Sequence, residues 1–321
     1  MAQVTPSALS NWAGKPGTAM AEQYPDVLNS RFDEIARREW QHPMQGLQYW
    51  NVRTTAKDAA RHSYVASGGV VPRNRDVDRL PRQQPIQGFD NTFTPVGYRM
   101  AMWIEKRLIE TQQFNVIDKQ MADLNRSAKL TIELYAALPF NTTFDSTVDW
   151  VAADGLRLID SARNREDKAG GTWSNLETAG TPTQTRISTM RLNFRKNKDE
   201  FGDPAPLMMD KIVIPPDLED TLITNLQTSL QPGTSLNDTN FLTKYGLNYQ
   251  VWDYLTSTTA WFGCAPKDSL YELYWYWGSS PNIDVTPVTY SNNPDVMGNR
   301  LRMYFVSGAD RPHSIRGNAG A

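Results

Sequence analysis

Ile117, Met121, Leu124, Ala128, Tyr135 and Leu138 recur at spacings of three, four or sums of these, which is the period of one helix face. They predict a helix over 115–138, about 36 Å long at 1.5 Å per residue, stopped by Pro139. Leu28, Phe32, Ile35 and Trp40 predict a shorter helix over 24–40, with acids early and Arg37 and Arg38 late. Thr181-Pro182 has the chemistry of a helix start. Ile187, Met190 and Phe194 then face a core until about Lys196. Lys211–Ile214 reads as a short buried strand ended by Pro215-Pro216. The next helix follows, with Leu218, Leu222 and Leu226 as its apolar stripe and Asp217, Glu219 and Asp220 in its first turn, where the macrodipole favours negative charge. Residues 98–109 begin with strand-like alternation, and RLRMYFV at 300–306 is the last strand.

Other stretches have a different pattern. Residues 47–100 contain Pro72, Pro81, Pro85 and Pro95, Gly68-Gly69, and short apolar pieces set among polar ones. They predict a long two-stranded excursion with little core of its own. Residues 1–20 hold Ala, Ser, Thr, Pro, Gly and a single charge, Lys15, and cannot fold alone. Residues 141–180 are loop-like, and 231–295 are short strands and turns carrying Trp252, Trp261, Trp275 and Trp277. In 271–277, YELYWYW, alternation puts Tyr271, Leu273, Trp275 and Trp277 on one side and Glu272, Tyr274 and Tyr276 on the other. Two aromatic faces suit a strand held between a core and a neighbour.

Composition narrows the class. The 321 residues are 40% apolar and 21% charged, with ten Trp, eleven Phe and thirteen Tyr, too many aromatics for a disordered chain. The net charge of -2 predicts no free nucleic-acid binder. It hides an asymmetry. Between Arg53 and Arg82 seven basic residues face three acids, net +4; residues 203–295 hold eleven acids and three Lys, net -8. One Cys excludes an internal disulfide and a cysteine-built zinc site. No run of 18 apolar residues is present, and the start, MAQVTPSALSNWAGKPG, lacks the form of a secretion signal, so a reducing cytoplasm is the expected compartment.

No catalytic pattern emerges. His42, His62 and His313 are scattered without partners at metal-ligand spacing, and His62 reads as a surface contact. Cys264, in Trp-Phe-Gly-Cys-Ala, reads as a small buried hydrophobe. Phosphate-loop, nucleophile-elbow and zinc-helix motifs are missing. The acids at 217–220 are explained by their helix start. No cofactor, metal or enzymatic activity is expected. The aromatic C-terminal half allows one alternative, a carbohydrate-binding or carbohydrate-active protein.

The order of elements is an extended arm, a short helix, a long basic hairpin, a strand, a spine helix, a Gly-rich link, a helix, then an acidic region with a strand-Pro-Pro-acid-helix unit, and a closing strand. This order resembles the major capsid protein of tailed double-stranded DNA phages, the α+β Hong Kong 97-type fold. DWVAADGL at 149–156, DKIVIPPDLE at 210–219, and Asn237 to Leu247 followed by Tyr249-Gln-Val-Trp252 resemble local features of that family. The resemblance implies an N-terminal arm and short helix over 1–52, an E-loop over 53–98, a peripheral domain over 99–144 with its spine helix at 115–138, a mainly axial domain over 145–295, and a C-terminal strand and tail over 296–321. It implies hexamers and pentamers of one chain tiling an icosahedral shell around packaged dsDNA. The implied partners are a portal protein, a separate scaffolding protein and decoration proteins, with no membrane; the virion is the location and the host cytoplasm the place of assembly. Inter-subunit contacts are expected at Arg53, Lys57, Arg61, Arg73, Arg75, Arg79, Arg82, Trp12 and Trp40. Some family members join an E-loop Lys to a neighbour's Asn; Lys57 is the only Lys in this one, and no motif fixes its partner. A nanocompartment shell of the same fold is a further alternative.

Overall fold

The computed structural model describes residues 34–35, 44–66, 86–105, 107–108, 111, 114–145, 149–164, 171–198, 203–230, 239–267, 273–278, 283–289 and 296–320. The arm at 1–20, most of the 24–40 helix (Glu34 and Ile35 are helical) and the Gly68-Gly69 turn lie outside the described residues. In chain order the strands are β1 (Asn51–Thr54), β2 (Ala60–Ala66), β3 (Ile86–Phe93), β4 (Val96–Glu105), β5 (Arg163–Asn164), β6 (Thr172–Trp173), β7 (Leu176–Glu177), β8 (Lys211–Ile214), β9 (Asn248–Val251), β10 (Trp261–Cys264), β11 (Leu273–Trp277), β12 (Ile283–Thr289), β13 (Val296–Ala309) and β14 (Ile315–Asn318). The long helices are α1 (Phe114–Asn141), α2 (Gln184–Arg195) and α3 (Glu219–Gln227).

Two compact units divide the described residues. One takes its residues from Met1–Met44, Gly97–Thr131 and Ser279–Tyr304, the other from Gln45–Val96, Ile132–Gly278 and Phe305–Ala321. The first unit is built on β12, antiparallel to the first part of β13 from Ile283↔Met303 to Thr289↔Met297, with β4 also paired to β13. Its core is Ile35, Ile104, Ile117 and Met121. A Cβ on Gly298 would stand 2.5 Å from the Trp103 ring, so that ring lies directly on the strand backbone.

The second unit holds a mixed sheet in the order β7-β14-β10-β8-β9. Strands β10 and β14 are antiparallel, as are β10 and β8, while β8 and β9 run parallel. Helices α2 and α3 cover the sheet. Ile187, Met190 and Phe194 of α2 meet Leu218, Leu222 and Leu226 against Ile212, Ile214 and Trp261 in one core. The helix positions follow from the period read in the sequence; Trp261 does not. A second set of strands places β11 parallel to β1 and antiparallel to the end of β13, from Leu273↔Ala309 to Trp277↔Phe305. From this unit rises the antiparallel ribbon β2–β3, paired from Ala60↔Phe93 to Ala66↔Ile86 with a register shift between Ser63 and Val65.

Pro139 does not stop α1, contrary to its expected role; the helix runs on to Asn141. Proline removes only its own N–H bond, here to the carbonyl one turn earlier. The turn beyond is held by Thr142, whose N–H and hydroxyl both donate to the Leu138 carbonyl at 3.0 and 2.9 Å. It is also held by Phe140, which is buried against the rings of Tyr49, Trp252 and Phe262. The Asp217–Asp220 segment differs in detail as well. A 3-10 turn, Pro216–Leu218, precedes α3, and neither has a side-chain cap hydrogen bond. The acids there act through the helix dipole, not through capping.

Glu133 of α1 is 4% exposed and accepts the Gly46 N–H at 2.8 Å. Gly46 is required there, since a Cβ would lie 2.7 Å from Ala136 Cβ and 2.8 Å from Glu133 Oε2. Burial raises the Glu133 pKa above the ordinary carboxylate value, with the Gly46 N–H partly opposing it. The folded-state pKa therefore exceeds the unfolded one. Stability from this group is greatest at low pH and falls as pH rises through the raised pKa. The expected result is that wild type loses stability relative to Glu133→Gln as pH is raised from about 4 to about 8. Urea unfolding across that range measures it, and parallel curves for the two proteins would refute it.

Candidate assembly surface

Strands β2 and β3 carry the predicted basic excursion. A lone two-stranded ribbon is marginal in water, so what fixes its root matters. The root is an aromatic and polar clamp within the second unit. Phe93, 2% exposed, ends β3 and packs on His62 (5.0 Å between ring centres), Tyr276 (5.0 Å) and Tyr274 (6.0 Å). Gly308 of β13 makes room for it, because a Cβ there would lie 2.5 Å from the Phe93 ring. His62 of β2 is half-buried. Its Nδ1 stands 2.7 Å from Asp310 Oδ2 and its Nε2 2.5 Å from the Tyr276 hydroxyl. Asn91 of β3 donates to Asp310 Oδ1 at 3.0 Å. Both ribbon strands are thereby tied to β11 and to the residue just after β13.

This corrects the reading of His62 as a surface contact. It stands in the chain between Arg61 and Ser63, both exposed, and nothing local signals Asp310, 248 residues away in sequence. Of the expected contact residues, Arg61 is exposed and pairs with Asp90 across the ribbon at 2.8 Å. Arg53 is exposed, with its guanidinium 4.8 Å from the centre of the Tyr274 ring. Lys57 is exposed in the turn after β1, where its N–H donates to the Thr55 hydroxyl at 3.2 Å. Arg73, Arg75, Arg79, Arg82, Trp12 and Trp40 lie outside the described residues.

The stretch read as loop-like contains a buried fastening that sequence reasoning missed. The Arg163 side chain is fully buried. It pairs with Asp154 at 2.5 Å and donates to the carbonyls of Arg157 and, at 3.0 Å, Leu158. Burial lowers its pKa, and the Asp154 charge opposes the shift. Asn175 donates to the Leu158 carbonyl at 2.8 Å and the Ile315 carbonyl at 3.2 Å, binding these loops to β14. An N-D-R-type polar composition reads equally as solvated loop, so only the fold distinguishes the two.

Cys264 is buried and its thiol is pushed up to about 12 by burial, which leaves it a thiol at neutral pH. Among the described residues no group of three or more His, Cys, Asp or Glu could hold a metal ion, and no helix is long and apolar enough to cross a membrane. Trp252, Trp261 and Trp275 have no exposed surface and Trp277 is 3% exposed. Three ring contacts bind Trp275, Trp277 and Phe305 together. No open platform for a sugar ring remains on these four tryptophans.

Comparison with known proteins gives one family and one fold. A family described as phage capsid protein matches residues 98–316. No curated protein matches the sequence. A solved chain from Microbacterium phage Oxtober96 superposes with a TM-score of 0.55 at 9% identity, over 87% of this chain and 92% of that one. A chain from Mycobacterium phage Cain gives 0.51 at 10% identity, over 100% and 99%. One from the capsid of an empty GTA particle gives 0.51 at 9% identity, over 87% and 91%.

Proposed function

We propose that the chain, which belongs to the phage capsid protein family, is a major capsid protein whose copies form the hexamers and pentamers of an icosahedral shell, each laying its β2–β3 ribbon on a neighbour. The family match over 98–316 carries the reading. The ribbon supports the finer part. Its root is buried, yet Arg61, Ser63, Val65, Gln87 and Asp90 along it are exposed. Ordering such a ribbon costs roughly 1–2 kcal/mol of backbone entropy per residue, and contacts with other copies offset that cost. A face that meets a different face on the next copy closes a ring, and many modest contacts then add up over a shell.

The role is structural. In this reading the E-loop spans 53–98, the arm 1–52, the peripheral domain 99–144 and 296–321, and the axial domain mainly 145–295. Arg53, Lys57, Arg61, Arg73, Arg75, Arg79, Arg82, Trp12 and Trp40 lie at subunit contacts. The shell encloses dsDNA without sequence preference, a portal protein fills one vertex, and separate scaffolding and decoration proteins act with it during assembly in the host cytoplasm.

Purified protein, alone and co-expressed with its scaffolding partner, is expected to give particles far larger than a 36.3 kDa chain by light scattering and closed shells by negative-stain microscopy. A monomer at every concentration and salt, with the partner present, would defeat the proposal.

A further inference from the structure

The C-terminal end of α2 opens onto a cavity of about 480 Å³ in the second unit, lined among others by Lys196, Asn197, Lys198, Trp173, His313 and Arg316. Trp173 and His313 stack at 3.7 Å along one side. Arg316 is 9% exposed and held from two directions. Its Nη1 donates to Glu177 at 2.9 Å and its Nη2 to Asn197 at 2.8 Å. Its Nε, also buried, has no hydrogen-bond partner among the described residues. A buried guanidinium with an unused donor is costly unless something accepts from it. Lys196 and Lys198 are exposed at the rim and make no ion pair among the described residues. Glu177 is therefore the one carboxylate paired with these three cations among the described residues. Two of the three cations at the cavity, Lys196 and Lys198, thus have no carboxylate partner among the described residues.

The same unit carries the complementary charge. Asp217, Glu219 and Asp220 stand at the start of α3, with Asp217 and Asp220 exposed. They are not the N-cap residues of either element and make no ion pair among the described residues. Three acids in four residues, and a cavity at which Lys196 and Lys198 line up with Arg316, thus both carry charges without ion partners among the described residues. We propose that the Lys196–Lys198–Arg316 cavity is a carboxylate-binding site, filled by the Asp217–Asp220 acids of a second copy. The inference rests on the shell reading. It adds the contact that joins neighbours face to unlike face, as ring closure requires.

Charge reversal and its compensation test this. Lys196→Glu/Lys198→Glu and Asp217→Lys/Asp220→Lys are expected each to lower the yield of closed shells by about tenfold or more, since like charges would then face each other. The combined quadruple variant restores opposite signs and is expected to recover shells. Circular dichroism and urea unfolding establish that each variant is folded, and Lys196→Gln/Lys198→Gln supplies a milder change with a partial loss. Normal shells from either double reversal would overturn the site. So would a folded quadruple variant that fails to assemble. A third outcome would also overturn it in favour of nucleic-acid phosphate: the lysine reversals leave shells intact but reduce packaged DNA, while the aspartate reversals change nothing. Wild type, run alongside, separates the two claims, because its failure to form shells would remove the capsid reading itself.

Discussion

Excising residues 67–85 and joining Ala66 to Ile86 through a tight Asn-Gly turn will leave a folded, soluble chain that forms no closed shells. The backbones of Ala66 and Ile86 pair at the end of the ribbon, so a two-residue hairpin turn can bridge them. The excision removes Arg73, Arg75, Arg79 and Arg82, with Asp76 and Asp78, and leaves the whole clamp at the root. Its effect on folding should therefore be small and its effect on assembly large. Weakening a contact by about 1.4 kcal/mol makes it tenfold weaker, and a shell repeats the loss at every subunit. Size-exclusion chromatography and negative-stain microscopy read the outcome; shells at wild-type yield would sink the ribbon's role. A larger deletion, 53–98, would be the wrong experiment. It would take Phe93 out of the core and break the pairing of Arg53 and Thr54 with Tyr276 and Trp277.

Phe93→Ala is expected to have the largest effect on the subunit itself. The ring is 2% exposed and touches three aromatic side chains, and Gly308 is shaped around it. Truncating a buried Phe typically costs about 3–5 kcal/mol. The lost ring also leaves His62 without one wall, so the bonds of His62 to Asp310 and Tyr276 should loosen with it. Urea unfolding monitored by tryptophan fluorescence measures the change. A loss below about 1 kcal/mol would mean that the ribbon root is not part of the cooperative core. The two variants separate cleanly. One should fold without assembling, and the other should fail earlier, at the fold.

The contrast between them shows where the sequence was readable. Period and end chemistry together placed α1, α2 and α3, although α2 begins at Gln184 after Thr183 and not at Thr181-Pro182, and Ile187, Met190, Phe194, Leu218, Leu222 and Leu226 all reached the core that their spacing predicted. The strand at 211–214 was found with its bounds; RLRMYFV proved to be the middle of the longer β13 and not the last strand, because the polar tail beyond it forms β14, buried between β7 and β10. Pro139 misled because the rule for prolines is local, whereas Phe140 is held by Tyr49, Trp252 and Phe262 from elsewhere in the chain. His62 misled for the same reason. A histidine between an arginine and a serine on an exposed ribbon looks solvated until Asp310 and Tyr276 are brought to it.

The sequence by itself determined the class of object: the order of elements, the charge split between the excursion and the acidic region, and the absence of any catalytic or metal-binding pattern. Those are properties of neighbours along the chain, where helix and strand periods act. Tertiary structure alone decided which polar groups are fastened and which are left over. It tied His62 to Asp310 and buried Arg163 on Asp154. It left Lys196, Lys198 and the Asp217–Asp220 acids without ion partners among the described residues. The reason is physical: a charge's worth depends on burial and on partners a few ångströms away, and folding sets those distances between residues that the sequence places far apart.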